Sequence, residues 1–126
     1  MAHAAHVLKV RDEGHLHFIR ASGSLLIDEG GLSGSLPGSV RVRFLYNGEP
    51  NVSAQFTIYA SGGSIYARGS GRLSSPVSRT PSFKGHLSIT GGSGRYAHAR
   101  GSGEMFGVFN RRNYALSVQA YGTLNY

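Results

Sequence analysis

The chain has 126 residues, 40% hydrophobic and 15% charged, which fits one folded domain over residues 1–126 and excludes a disordered tail. It has no cysteine, so disulfides, thiol catalysis and thiolate metal sites are excluded. The net charge is +7 and eleven of the thirteen cations are arginine, yet no basic run exceeds Arg111-Arg112, which points to a solvated basic surface.

Taken in chain order, the apolar pattern has period two rather than 3.6. The first residues, 1–4, are expected to fray, and AHVLKV at 5–10 reads as a short strand. HLHFIRA at 15–21 alternates around Leu16 and Phe18. SLLIDE at 24–29 is a short run before the turn EGG. In SVRVRFLY at 39–46, Arg41 and Arg43 face one side and Val42, Phe44 and Tyr46 the other. VSAQFTIYA at 52–60 sets Phe56 and Ile58 opposite Gln55, Thr57 and Tyr59. GSIYARGSGRL at 63–73 and SFKGHLSIT at 82–90 follow, separated by a surface loop around Pro76 and Pro81. EMFGVF at 104–109 and YALSVQAYGTL at 114–124 are joined by the turn Asn110-Arg111-Arg112-Asn113. Together these predict an all-β protein: a single antiparallel barrel of about eight strands, calycin-like, without a substantial helix. Such a barrel is wide enough to fill with side chains or to hold one small ligand.

The stretch ITGGSGRYAHARGSG at 89–103 contains Gly92-Ser93-Gly94-Arg95-Tyr96-Ala97, which matches G-x-G-x-x-A. A dinucleotide site needs a helix next, whereas a strand pattern follows, so nucleotide binding is rejected. The glycines instead suit a tight corner between barrel strands, packed by Tyr96 and tied by Arg100. His15-Leu16-His17 places two imidazoles on one strand face, but no third ligand follows, and no metal site is predicted. There is no G-x-S-x-G elbow. Most carboxylates fall at predicted strand ends or turns and read as solvated charges. Glu104 differs, sharing a face with Phe106 and Val108. Pointing inward it is an acid at the mouth of an apolar barrel, with its pKa raised; pointing outward it pairs with an arginine. Nucleic-acid binding is not expected, because the tyrosines sit singly.

The same stretch, with Gly91, Gly92, Ser93, Gly94, Tyr96, Ala99, Arg100 and Gly101 at the matching positions, resembles the allene oxide cyclase-like and dirigent-like barrels. The match covers about fifteen residues. The resemblance implies an eight-stranded barrel with an apolar cavity, a dimer or trimer, and no cofactor. It implies a cyclase or isomerase, in some relatives of Diels–Alder type, that folds a polyketide- or polyene-like substrate for ring closure. The first-strand carboxylate of the plant cyclases aligns with no definite residue, although Asp12 and Glu13 lie near that region. Candidate catalytic groups are Glu104, Tyr46 and Tyr114. Candidate substrate-binding residues are Phe18, Phe44, Phe56, Ile58, Phe106, Val108, Leu116 and Val118. The partner is then a small hydrophobic molecule. Two other functions stay open: a barrel that binds such a ligand without catalysis, and a basic β-protein that binds a polyanion. An interior packed solid would exclude the cyclase and the ligand-binding barrel.

No apolar run is long enough to span a membrane, and the start MAHAAHVLKV lacks the apolar centre of a signal peptide. The compartment is open between the cytoplasm and a secreted form whose signal has been removed.

Overall fold

The structure, a computed structural model, describes residues 6–45, 51–74, 80–110 and 112–126. Eight strands, each antiparallel to the next, form a closed barrel in the order of the chain. They are β1 (Val7–Ser22), β2 (Leu25–Gly34), β3 (Gly38–Leu45), β4 (Asn51–Ala60), β5 (Gly63–Leu73), β6 (Ser82–Gly92), β7 (Arg100–Phe109) and β8 (Leu116–Asn125). The one helical piece among the described residues is a 3-10 turn at Gly94–Tyr96.

Two segments that read separately, 5–10 and 15–21, belong to one strand of 16 residues. The length has a cause in the closure. Val7 to Leu16 pair with β8, while Asp12 to Ser22 pair with β2. A bulge between Phe18 and Arg20 lets the strand turn as it changes partner. Joining the two segments moves Asp12 from a strand end to mid-strand.

The inward faces pack as two clusters. The larger contains Leu16, Val42, Phe44, Phe56, Met105 and Phe109 among others. The smaller contains Leu36, Ile65, Tyr96, Ala99 and Leu124. The glycine-rich stretch builds the second cluster. Gly94 has φ +59, and a Cβ there would lie 2.4 Å from the Gly62 carbonyl oxygen. This lets the chain turn so that Tyr96, only 5% exposed, plugs this part of the barrel. Arg100 Nη1 donates to the carbonyls of Thr90 (2.9 Å) and Ala99 (2.7 Å) and holds the corner down. The corner expected from the sequence is therefore present.

Candidate functional site

Two acids point into the barrel, and both are buried: Asp12 at 5% exposure and Asp28 at 0%. In β1 the alternation Asp12, Gly14, Leu16 turns Asp12 inward. Its Oδ1 accepts the backbone N–H of Leu36 at 2.8 Å. Burial raises its pKa, and the Leu36 hydrogen bond offsets part of that rise. Asp12 borders a cavity of about 80 Å3 whose lining is otherwise mostly apolar, including Val40, Ile58, Ile89 and Met105.

Asp28 is the sharper anomaly. On β2 it follows Leu26 on the inward face, between Phe18 of β1 and Val42 of β3 in the cross-strand register. Neither carboxylate oxygen has a hydrogen-bond partner. Burial alone pushes its pKa up to about 7. A buried carboxyl without partners costs several kcal/mol if ionised, so the group holds its proton through the mildly acidic range and ionises only around neutrality. Such a residue opposes folding, and the fold gains nothing visible from it.

Around Phe18 the barrel is capped by aromatic rings. Tyr114 lies 5.1 Å from Phe18 and 6.0 Å from Phe109, and Phe109 meets Phe44 edge-on at 5.6 Å. Tyr114 is the one non-glycine residue with positive φ among the described residues, at 59°. Two side-chain turns hold it there: Asn110 Oδ1 accepts the N–H of Arg112, and Asn113 Oδ1 accepts that of Ala115. The Tyr114 N–H donates to the Asn110 carbonyl at 2.7 Å. A bulky side chain held in this conformation is strained, and it packs on Phe18, the cross-strand neighbour of Asp28. Beneath the cap is a second void of about 40 Å3, lined by Phe44, Phe56, Met105 and Phe109 among others.

The interior is therefore neither open nor solid. Ordinary small-molecule sites span roughly 300–1,000 Å3, well above both voids. Phe56, Met105 and Val118 border both, so a larger ligand enters only if these side chains move aside.

Of the expected site residues, Phe18, Phe44, Phe56, Ile58, Leu116 and Val118 do pack inside, and Tyr114 packs against that core. Tyr46 lies outside the described residues. Glu104, Phe106 and Val108 are corrected. Glu104 is exposed on the outer face, Val108 is 43% exposed, and Phe106 packs outside against Tyr121, with ring centroids 6.0 Å apart. The inward face of β7 carries Met105 and Phe109 instead. EMFGVF has two apolar residues on each face, so alternation alone does not choose. The charge does: one face would drag a carboxylate inside and the other would not.

Asp28 and Asp12 escaped the sequence reading. Three consecutive apolar residues, Leu25 to Ile27, blurred the parity of β2, and Asp12 sat in an apparent gap between strands. His15 and His17 are exposed; His15 Nε2 lies 3.3 Å from Glu13 Oε1 and Nδ1 3.3 Å from Ser117 Oγ. No group of three or more metal-ligating side chains occurs among the described residues. No described helix is long and apolar enough to cross a membrane. Comparison with family models, curated proteins and solved structures finds no match to this chain.

Proposed function

We propose that the protein is a cofactor-free isomerase or cyclase for a compact hydrophobic substrate, with Asp28 as its acid–base group. The observation that carries this reading is the fully buried Asp28 carboxyl without a hydrogen-bond partner. A pKa near neutrality suits an acid that gives a proton and takes one back. In the protonated form it donates to a substrate carbonyl oxygen and recovers a proton as the ring closes, so the protein ends unchanged. The apolar walls supply orientation and exclude water. The resemblance to allene oxide cyclase-like barrels supports the same chemistry. Tyr114 and the aromatic cap are the entrance in this reading. Asp28 borders neither void, so even a compact substrate reaches it only as inward side chains move, and polyene- or polyketide-sized ones also require Phe56, Met105 and Val118 to swing away.

The test uses 5-nitrobenzisoxazole, a compact probe that opens when a base removes one proton and its N–O bond breaks. The native chain is expected to open it faster than Asp28→Asn, with the rate rising as pH passes about 7, where Asp28 ionises. Equal rates for the two proteins at every pH would sink the assignment. The apolar cavity beside Asp12 favours a second reading, a barrel that holds a small ligand without turning it over. Saturable Nile red binding with no Asp28-dependent probe opening selects that reading.

A further inference from the structure

The outer face of β3–β6 is chemically unlike the interior. These four strands contain five Lys or Arg residues (Arg41, Arg43, Arg68, Arg72 and Lys84) and no Asp or Glu. Arg41 is paired with Glu29 of β2 at 3.5 Å. Arg43, Arg68, Arg72 and Lys84 are exposed, and none of them forms an ion pair among the described residues. Glu29 on one side and Glu104 of β7 on the other bound the face.

One arrangement on this face is costly for the protein alone, and a second gathers positive charge without a partner. Arg72 stands directly opposite Lys84 across the β5–β6 ladder. Like charges directly opposite destabilise a sheet; Asn51 beside Arg72 is neutral, and beside Lys84 only the Phe106 ring face, 5.7 Å from its Nζ, offsets part of the repulsion. Arg43 and Arg68 flank Gln55 in one row across β3, β4 and β5, roughly 10 Å apart at the usual strand spacing. Between these cations lie short side chains, and the surface is hollow there. One depression is bordered by Arg43, Gln55 and Arg68. The next, of about 830 Å3, is bordered by Ser70, Arg72, Lys84 and His86, and both include Ser53. Together they form one trough across the strands.

We infer that this trough binds a linear acidic polysaccharide, its carboxylates on Arg43, Arg68, Arg72 and Lys84 and its hydroxyls on Ser53, Gln55 and Ser70. Charge complementarity requires an anion, and the row of cations requires a repeating one. The trough contains no aromatic side chain, whereas single-stranded nucleic acid is normally held by stacking its bases on such rings. Tyr59 and Tyr66, both exposed, border neither depression. Hydroxyl and amide groups beside guanidinium forks suit sugar hydroxyls and uronate carboxylates. The inference is independent of the chemistry inside the barrel.

Calorimetry with an oligogalacturonate at low salt is the test. Binding is expected, falling as salt rises. Arg68→Ala combined with Arg72→Ala is expected to weaken it about tenfold or more, the scale of two lost charge-assisted contacts. Arg112→Ala, in the loop before β8, is expected to leave it unchanged. Arg72→Glu separates binding from folding: it makes the pair with Lys84 attractive, so Tm is expected to rise while affinity falls. Three results overturn the inference: no binding of the oligogalacturonate, an undiminished affinity in the double variant, or equal or tighter binding of an oligothymidylate.

Discussion

At Asp28, one carboxyl couples folding to pH. In the folded chain it holds its proton up to about pH 7, whereas the unfolded chain releases it near 3.8. Between those values the folded state binds more protons, so this residue lowers stability as pH rises through that window. The loss is complete above the folded pKa and amounts to about 4 kcal/mol. Asp28→Asn removes the titration. In urea unfolding the variant is expected to be the more stable protein at about pH 8, and its advantage should shrink as pH falls towards about 3, below the unfolded value, where Asp28 is mostly neutral folded and unfolded alike. A constant difference across that range would mean that Asp28 is not the buried acid described here. Asp12 also has a raised pKa, but it keeps the Leu36 amide and so carries less of the anomaly.

The strands test which face is which. Met105 lies in the core, 4% exposed, while Val108 on the same strand is 43% exposed. Met105→Ala is expected to cost about 2–5 kcal/mol, and Val108→Ala within about 1 kcal/mol. Chemical denaturation of the two variants checks this, and equal losses would contradict the inward face of β7. The contrast also explains what the sequence could tell. Strands such as β3, where Arg41 and Arg43 alternate with Val42 and Phe44, declare their faces because charge and apolarity coincide. In β7 and β2 they do not coincide. EMFGVF divides its apolar residues evenly, leaving only the charge of Glu104 to mark its outer face, and LLIDE crowds three together, so the parity of β2 came only from the packed barrel. The cost was specific: Glu104 stayed open between an interior and an outer acid, while Asp28 looked like a solvated one. The corner around Tyr96 was readable because glycine chemistry there is local, needing only its neighbours to make sense.

For the molecule as a whole, closure sets the folding problem. β1 must find β8 across nearly the entire chain, with Val7 opposite Asn125 and Leu16 opposite Leu116. Pairings of such long sequence separation are slow to form. Refolding is expected on the millisecond-to-second scale of β-rich domains. Amides of Leu8, Val10 and Leu124 should gain exchange protection no earlier than those of the local β3–β4 and β4–β5 hairpins. Early protection of Leu124 would count against closure as the late step. The basic outer face and the acid-bearing interior are separate consequences of the same barrel: alternate residues of one strand serve two different environments.

The seam has a mechanical consequence. His6 and Tyr126 exchange two backbone hydrogen bonds, of 2.9 and 3.0 Å, and their rings stack at 5.1 Å. They sit where β1 and β8 run antiparallel from the same end. Tension applied at these two residues therefore loads the ladder like a zipper, one rung after another, rather than shearing all rungs together. The barrel should yield easily to a pull at this clasp and resist a pull applied across the strands elsewhere, and the difference is measurable by moving the attachment points.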